Sequence, residues 1–430
     1  MGKTLGSEKL FAAEMDAKND LASFRDRFSL IPGAIYMDGN SLGLCPKEAG
    51  EAVERTIEEW KTLGIRGWME GNPPWFEMAE RTGSDAASLV GAEGEEVVLS
   101  GTTTVNLHAL VSTFYEPTPE RNVILADELN FPSDIYALRS QVAIRGYDPE
   151  KSLRLVRSLD SRFLDEDQII SEMTPDVALV VLPSVLYRSG QLLDMERLAA
   201  AARERGILTG FDCAHSVGAI PHSLSEWGVD FAFWCSYKYM NSGPGSPAFL
   251  YVNRRHFGKM PALAGWFGYD KARQFDMNIE FMPAGTAGAW QISSPSILGS
   301  AAAGGALKVT LEAGIGRIRS KSLELTSFFM RLVDEYLSGE PYNFSTGTPR
   351  EPERRGGHVA LEHPTEALRI NEALIARGVI PDFRPPQVIR IAPIALYNTF
   401  TEVWQVAMHL KEIIDNREYE KFSRIRKAVS

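Results

Sequence analysis

The stretch FDCAHSVGAIPHSLSEWGVDFAFWCSYKYMNSGPG, residues 211–245, holds the ends of two apolar runs, each closing on a charged group. The first run, GILTGFD (206–212), ends on Asp212. The second, DFAFWCS (230–236), leads into a Ser-Tyr-Lys triplet carrying Lys238, and then into Gly243, Pro244 and Gly245. An ion pair would be the ordinary reason for an acid and an amine at the mouths of two strands. The rest of the chain supplies a different one.

Working outward, further short apolar runs read as strands: EVVLSG (96–101), NVILAD (122–127), DVALVVLP (176–183) and PAFLYV (247–252). Most are unbroken rather than alternating, as in strands buried on both faces. Helical stretches separate several of them, for example DMERLAAAARER (194–205). This order predicts an α/β fold with a mostly parallel sheet, whose binding sites lie at the carboxyl ends of the strands. Residues 46–64, PKEAGEAVERTIEEWKTLG, are expected to form a helix with Ala49, Val53, Ile57, Trp60 and Leu63 on its buried face. Near residues 295–300 the texture changes. A helical stretch from 301 and a long helix over 317–338 precede a loop, TGTPREPERRGG (346–357), and a small α+β tail.

At 430 residues the chain is too long for one compact core, so two domains are expected. With 44% apolar and 23% charged residues the composition is that of a globular protein. A net charge of −11 argues against a nucleic-acid partner or an anionic membrane surface. Cys45, Cys213 and Cys235 show neither metal spacing nor a disulfide framework, which fits a reducing compartment. The charged N-terminus has no apolar signal-like core, and no run reaches the ~18 apolar residues of a membrane span, so a cytoplasmic location is expected.

Four strand ends carry polar or aromatic groups. SGTTTVNLH (100–108) opens a helix whose free N–H groups and hydroxyls suit an anion, although threonine capping alone would explain it. NFPSDIY (130–136) offers Phe131, which could equally be a packed loop aromatic. Asp212 could cap the next helix, His215 could be a core histidine, and Lys238 could be a solvated lysine. One cofactor accounts for all of them. Pyridoxal phosphate needs a lysine amine to hold it, an anion cup for its phosphate, and a carboxylate that keeps its ring nitrogen protonated; an aromatic face on the ring adds to its binding. The chain presents these groups in the order Thr103/Thr104, Phe131, Asp212, Lys238.

The stretches MDGNSLGLCPK (37–47), TVNLHAL (104–110), FPSDIYAL (131–138), FDCAHSVGAIPH (211–222), SYKYMNSGPG (236–245) and RIAPIALYNTF (390–400) resemble those of kynureninases. These are fold-type I pyridoxal-phosphate enzymes with a large domain, built on a mostly parallel seven-stranded sheet, and a smaller C-terminal α+β domain. The resemblance spans about residues 35–405. It implies an N-terminal segment 1–45 packed with the small domain, a large domain 46–297 and a small domain 298–430. It implies that Thr103, Thr104, Tyr237 and Trp266 meet the phosphate, the last across a homodimer interface. Phe131, Asp134 and His215 would surround the ring, Asp212 would meet its nitrogen, and Lys238 would carry it. Arg390 is the implied clamp for the substrate α-carboxylate, with Asn40, Tyr269 and Ser294 also at the substrate and Ser294 shared with the cofactor. The implied reaction is hydrolytic Cβ–Cγ cleavage of L-kynurenine to anthranilate and L-alanine, in tryptophan catabolism, with Lys238 and Tyr237 moving protons.

The chain departs from the family pattern at three places. GWFGY has Tyr269 where a histidine is usual, ISSP has Ser294 where an asparagine is usual, and Pro183 stands where a phosphate-binding hydroxyl is usual, with Ser184 one place on. A lyase or hydrolase acting on another β- or γ-substituted amino acid is therefore kept as an alternative. A cysteine desulfurase-like enzyme would share Asp212 and Lys238 but needs a nucleophilic cysteine in the C-terminal half, and no cysteine follows Cys235.

Overall fold

In the computed structural model, which describes residues 4–425, the six expected strands form and a seventh joins them. In chain order they are β1 (Val97–Ser100), β2 (Val123–Asp127), β3 (Leu153–Val156), β4 (Val177–Pro183), β5 (Leu208–Asp212), β6 (Phe231–Cys235) and β7 (Ala248–Val252). They build one sheet in the order β1-β7-β6-β5-β4-β2-β3. Strands β2 to β6 are mutually parallel, and β7 is antiparallel to both of its neighbours.

The unbroken apolar runs are explained by burial on both faces. Along β4, Val180 and Leu182 enter one core while Leu179 and Val181 enter the other; along β6, Ala232 and Trp234 go one way and Phe231 and Phe233 the other. Each fully buried side chain of this size stabilises the fold by about 1.5–3 kcal/mol relative to exposure. The strand that sequence reading missed, β3, lies at the sheet edge and is only half buried at Arg154 and Leu155. Its LRLV run is short and carries an arginine, whose guanidinium pairs with Asp176 at 2.5 Å.

The helix expected over 46–64 forms at Lys47–Leu63, with Pro46 as its extended N-cap. Its buried face differs from expectation. Ala49, Ala52 and Thr56 pack inward, Val53 and Ile57 are half buried, and Trp60 is 64% exposed. Small residues sit inside because a second helix, Ile297–Ala313, packs closely there. A side chain on Gly305 of that helix would meet the Glu48 carbonyl oxygen at 2.3 Å.

Ala303 and Leu307 of Ile297–Ala313 belong to the large core, whereas the next helix, Ile315–Tyr336, supplies Leu325, Phe329 and Val333 to a separate one. That second core is covered by a four-stranded antiparallel sheet of β8 (Ser345–Thr346), β9 (Val359–Glu362), β10 (Asp382–Arg384) and β11 (Val388–Ile391), in the order β10-β11-β9-β8. N-terminal residues Leu5, Ala12 and Met37 join this core, and Ile35–Tyr36 pairs in parallel with Val379–Ile380. No helix among the described residues is long and apolar enough to cross a membrane.

Candidate active site

The carboxyl ends of β1, β2, β4, β5 and β6 open on one side, because parallel strands all point their ends the same way. A cavity of about 230 Å³ lies there, roofed by the small domain. Among its lining residues are Asn40, Thr103, Thr104, Phe131, Asp134, Asp212, His215, Tyr237, Lys238 and Arg390. Trp266, Tyr269 and Ser294 are not brought into this cavity. Trp266 is 42% exposed, Tyr269 is buried elsewhere with its ring against Phe281, and Ser294 is exposed. A larger hollow of about 570 Å³, between Glu77, Glu95 and Arg254, lies away from all of these strand ends.

Lys238 follows β6 in a loop braced by the 37–47 segment. Gly43 donates its N–H to the Tyr237 carbonyl at 2.7 Å. Any side chain at Gly43 would meet the Lys238 carbonyl oxygen at 2.5 Å, so only glycine allows this approach. The Lys238 amine lies 2.9 Å from His215 Nε2. Lys238 donates to His215 rather than to Asp212, although its charge still acts on the Asp212 carboxyl. Asp212 accepts from the Ala214 N–H at 2.8 Å.

Burial raises the Asp212 carboxyl above the usual range, with the Lys238 charge acting against it. Asp134 is pushed well above the usual range, first by burial and then by the charge of Asp212. Two adjacent buried carboxyls cannot both ionise freely. Asp134, which also feels the charge of Asp212, is the carboxyl held further from ionisation. His215 is held well below its ordinary range by burial and then by Lys238, so it is a neutral imidazole.

The helix Thr103–Phe114 brings its N-terminal residues Thr103 and Thr104 to the cavity. Thr102 makes no side-chain cap and no acid lies in the first turn, so the leading N–H groups face the cavity unneutralised. Gly101 makes the turn with φ +54°. Thr104 Oγ1 lies 2.8 Å from Ser133 Oγ, which adds a third hydroxyl, one that sequence reading did not single out. Phe131 is held edge-on by Tyr187, with centroids 5.4 Å apart. Ser184 does not face the cavity. Its hydroxyl is buried against the Asp212 carbonyl at 3.0 Å and Ser216 Oγ at 2.7 Å, where it braces the end of β5.

Arg390, on β11, is fully buried. It donates to the Tyr187 carbonyl and to Ser41 Oγ, both at 2.8 Å, and contacts the Asp382 carboxylate. Asp382 also pairs with Arg384 at 2.9 Å, and Arg384 lines the cavity. Asp38 lies close by, its carboxyl raised to about 6 by burial and by Asp382. Sequence reading found Arg390 and missed Arg384, Asp382 and Asp38. The one available signal was the alternation in DFR, which places Asp382 and Arg384 on the same face of β10.

The donor set suits pyridoxal phosphate. A lysine amine, an anion-seeking helix end, a buried carboxylate and an aromatic flank converge on one cavity, and the Nδ1 of His215 has no protein partner.

Residues 318–410 match the model of the kynureninase C-terminal domain. The chain is 56% identical to a kynureninase of Geobacillus thermodenitrificans over 420 residues, covering 98% of this chain and 97% of that protein. It is 53% identical to a kynureninase of Shouchella clausii over 422 residues, covering 98% of each. Among solved structures, apo cysteine desulfurase from Thermococcus onnurineus superposes with a TM-score of 0.78 at 19% identity, over 92% of this chain and 98% of that one. A C-DES mutant with glycine covalently linked to its PLP cofactor superposes at 0.77 and 16% identity, over 90% and 98%. Likeness at that level of identity is a likeness of fold.

Proposed function

The chain belongs to the kynureninase family, a premise from which we propose how its own residues serve a pyridoxal-phosphate-dependent hydrolase that cleaves kynurenine to anthranilate and alanine. The observation that carries the reading is the placing of Asp212 and Lys238 at the ends of adjacent parallel strands, facing one cavity without pairing.

Lys238 holds the cofactor, Thr103, Thr104 and the helix N-terminus hold its phosphate, Phe131 covers its ring, and Asp212 faces its nitrogen. When bound, the cofactor supplies an electron sink for the charge released at the substrate. The freed Lys238 amine removes the Cα proton, and His215 Nε2 receives that amine. Tyr237 lines the same cavity, and burial raises its hydroxyl above the ordinary range. It therefore stays a phenol and can donate a proton to a leaving carbon. General acid–base help of this kind gives ~10²–10⁴-fold.

Arg390 takes the substrate α-carboxylate through its planar fork. It also links the two domains, since Tyr187 belongs to the large one. Arg390→Lys keeps the charge and loses the fork. KM for kynurenine should rise about tenfold or more while cofactor affinity changes less than about threefold. Equal losses of both would show that Arg390 merely bridges the domains.

A homodimer with its active site at the interface is part of the proposal. Trp266, Phe275, Met277 and Ile279 expose a run of large apolar side chains, and Trp60, Ile65 and Met69 are also exposed. Apolar exposure on this scale marks an interaction surface. A partner seated there would explain why Trp266 and Ser294 stand outside the cavity of their own chain. Sedimentation at the mass of one chain would refute this. The proposed cytoplasmic location rests on the composition, and cell fractionation tests it.

The substrate is tested by kcat/KM for kynurenine and 3-hydroxykynurenine, in the wild type and in the Tyr269→His, Ser294→Asn double variant. Serine offers one short hydroxyl where asparagine offers a long donor–acceptor amide. A site lacking a partner for a substrate hydroxyl discriminates against it. The wild type should prefer kynurenine, and the double variant should gain on the hydroxylated compound. Efficient use of both by the wild type, with no gain in the variant, would show that the two departures are neutral.

A further inference from the structure

His358 stands just before β9 in the small domain and is completely buried. Neither of its ring nitrogens meets a side-chain partner, and the backbone group that acts on the ring is that of Arg188. Its ring lies next to that of His215, with centroids 5.9 Å apart and planes at 59°. No direct hydrogen bond joins the two rings. Space is kept for the His358 ring by Gly190, where a side chain would meet His358 Nε2 at 3.3 Å.

The chemistry of His215 makes this arrangement matter. Its Nε2 faces the Lys238 amine at 2.9 Å. For that amine to donate to it, Nε2 must be the bare nitrogen. A neutral imidazole then carries its proton on Nδ1, and Nδ1 has no protein acceptor. Which nitrogen of a histidine is protonated is set by what the other nitrogen meets. His358 is itself kept neutral, pushed to about 3 by burial and then by the charges of Arg390, Lys238 and Arg384. It therefore offers an acceptor nitrogen through a water and a donor N–H on its other side.

We infer that His358 is a positioning residue: through a water between the two rings it holds His215 in the Nδ1–H form, leaving Nε2 to receive the Lys238 amine. This rests on the reading of Lys238 as the amine that carries the cofactor and moves the Cα proton.

The experiment uses the full-length chain labelled with ¹⁵N-histidine, with and without pyridoxal phosphate, in the wild type, His358→Gln and His358→Phe. Ring nitrogen shifts report the His215 tautomer, visible absorbance reports bound cofactor, and turnover of kynurenine reports kcat. The wild type should show the Nδ1–H form without cofactor. His358→Gln, which can both donate and accept, should keep that form and most of kcat. His358→Phe should lose the single tautomer and about tenfold in kcat, with cofactor content unchanged. A wild-type His215 protonated on Nε2 overturns the inference, and so does His358→Phe with tautomer and kcat intact. If His358→Phe does not fold, the wild-type and His358→Gln tautomers decide. Absence of cofactor from Lys238 in the wild type would instead count against the reading of the site, and the tautomer measured without cofactor would still judge His358.

Discussion

Lys238→Ala should remove at least ~10³-fold of kynurenine turnover, because it takes away both the covalent attachment of the cofactor and the base that moves the Cα proton. Among the described residues Lys238 is the lysine that reaches the cavity, and its amine has one hydrogen-bond partner, His215 Nε2. Loss of that single bond should leave the fold intact, with stability changed by about 1 kcal/mol. Lys238→Arg separates charge from chemistry. Arginine keeps a cation there but cannot be deprotonated to form the link or to act as a base, so it should fail as badly as alanine. Borohydride reduction of the wild type followed by peptide mapping checks the attachment directly. A cofactor label on another lysine, or near-normal turnover by either variant, would overturn the role assigned to Lys238.

Asp212→Asn should keep the cofactor bound while lowering kcat by ~10²-fold or more, since an amide cannot hold the ring nitrogen protonated. The backbone contact to Ala214 can survive, because the amide oxygen can still accept that N–H. Asp134 complicates the outcome in a measurable way. Its carboxyl is raised by burial and by the charge of Asp212. Removing that charge removes one cause of the rise, so Asp134 ionises more readily and accepts a hydrogen bond from the new amide. A negative charge then remains in the site, but not at the place the ring nitrogen needs. The Asp134→Asn variant should therefore lose less than Asp212→Asn, and the double variant should not equal the sum of the two in free energy. Steady-state kinetics on the three variants tests this. Near wild-type kcat in Asp212→Asn would end the electron-sink assignment.

The large-domain sheet was legible because burial on both faces leaves a plain mark. Runs such as VALVVL and FAFWC have no solvated face, and each ends on a turn or a charged residue. The order of Thr103, Phe131, Asp212 and Lys238 was legible for a related reason. Parallel strands deliver their carboxyl ends to one edge, so polar groups at successive strand ends are neighbours in space however far apart they lie in the chain. The edge strand β3 left no such mark, since half its residues meet solvent. The face of the Lys47–Leu63 helix was misjudged because periodicity marks large apolar residues, whereas close helix packing selects small ones.

By itself the sequence determined the sheet, the cavity edge and the chemistry of the groups along it, since alternation, unbroken runs and strand ends are local properties. Only the tertiary structure decided what surrounds those groups. It placed Asp134 near Asp212, so that the charge of one raises the other. It gathered Arg384, Asp382 and Asp38 around Arg390, set His358 behind His215, and put Trp266, Tyr269 and Ser294 outside the cavity. The physical reason is common to all of these. Charge, proton position and pocket shape depend on desolvation and on contacts between residues far apart in the chain, and neither is written in the local pattern of either partner.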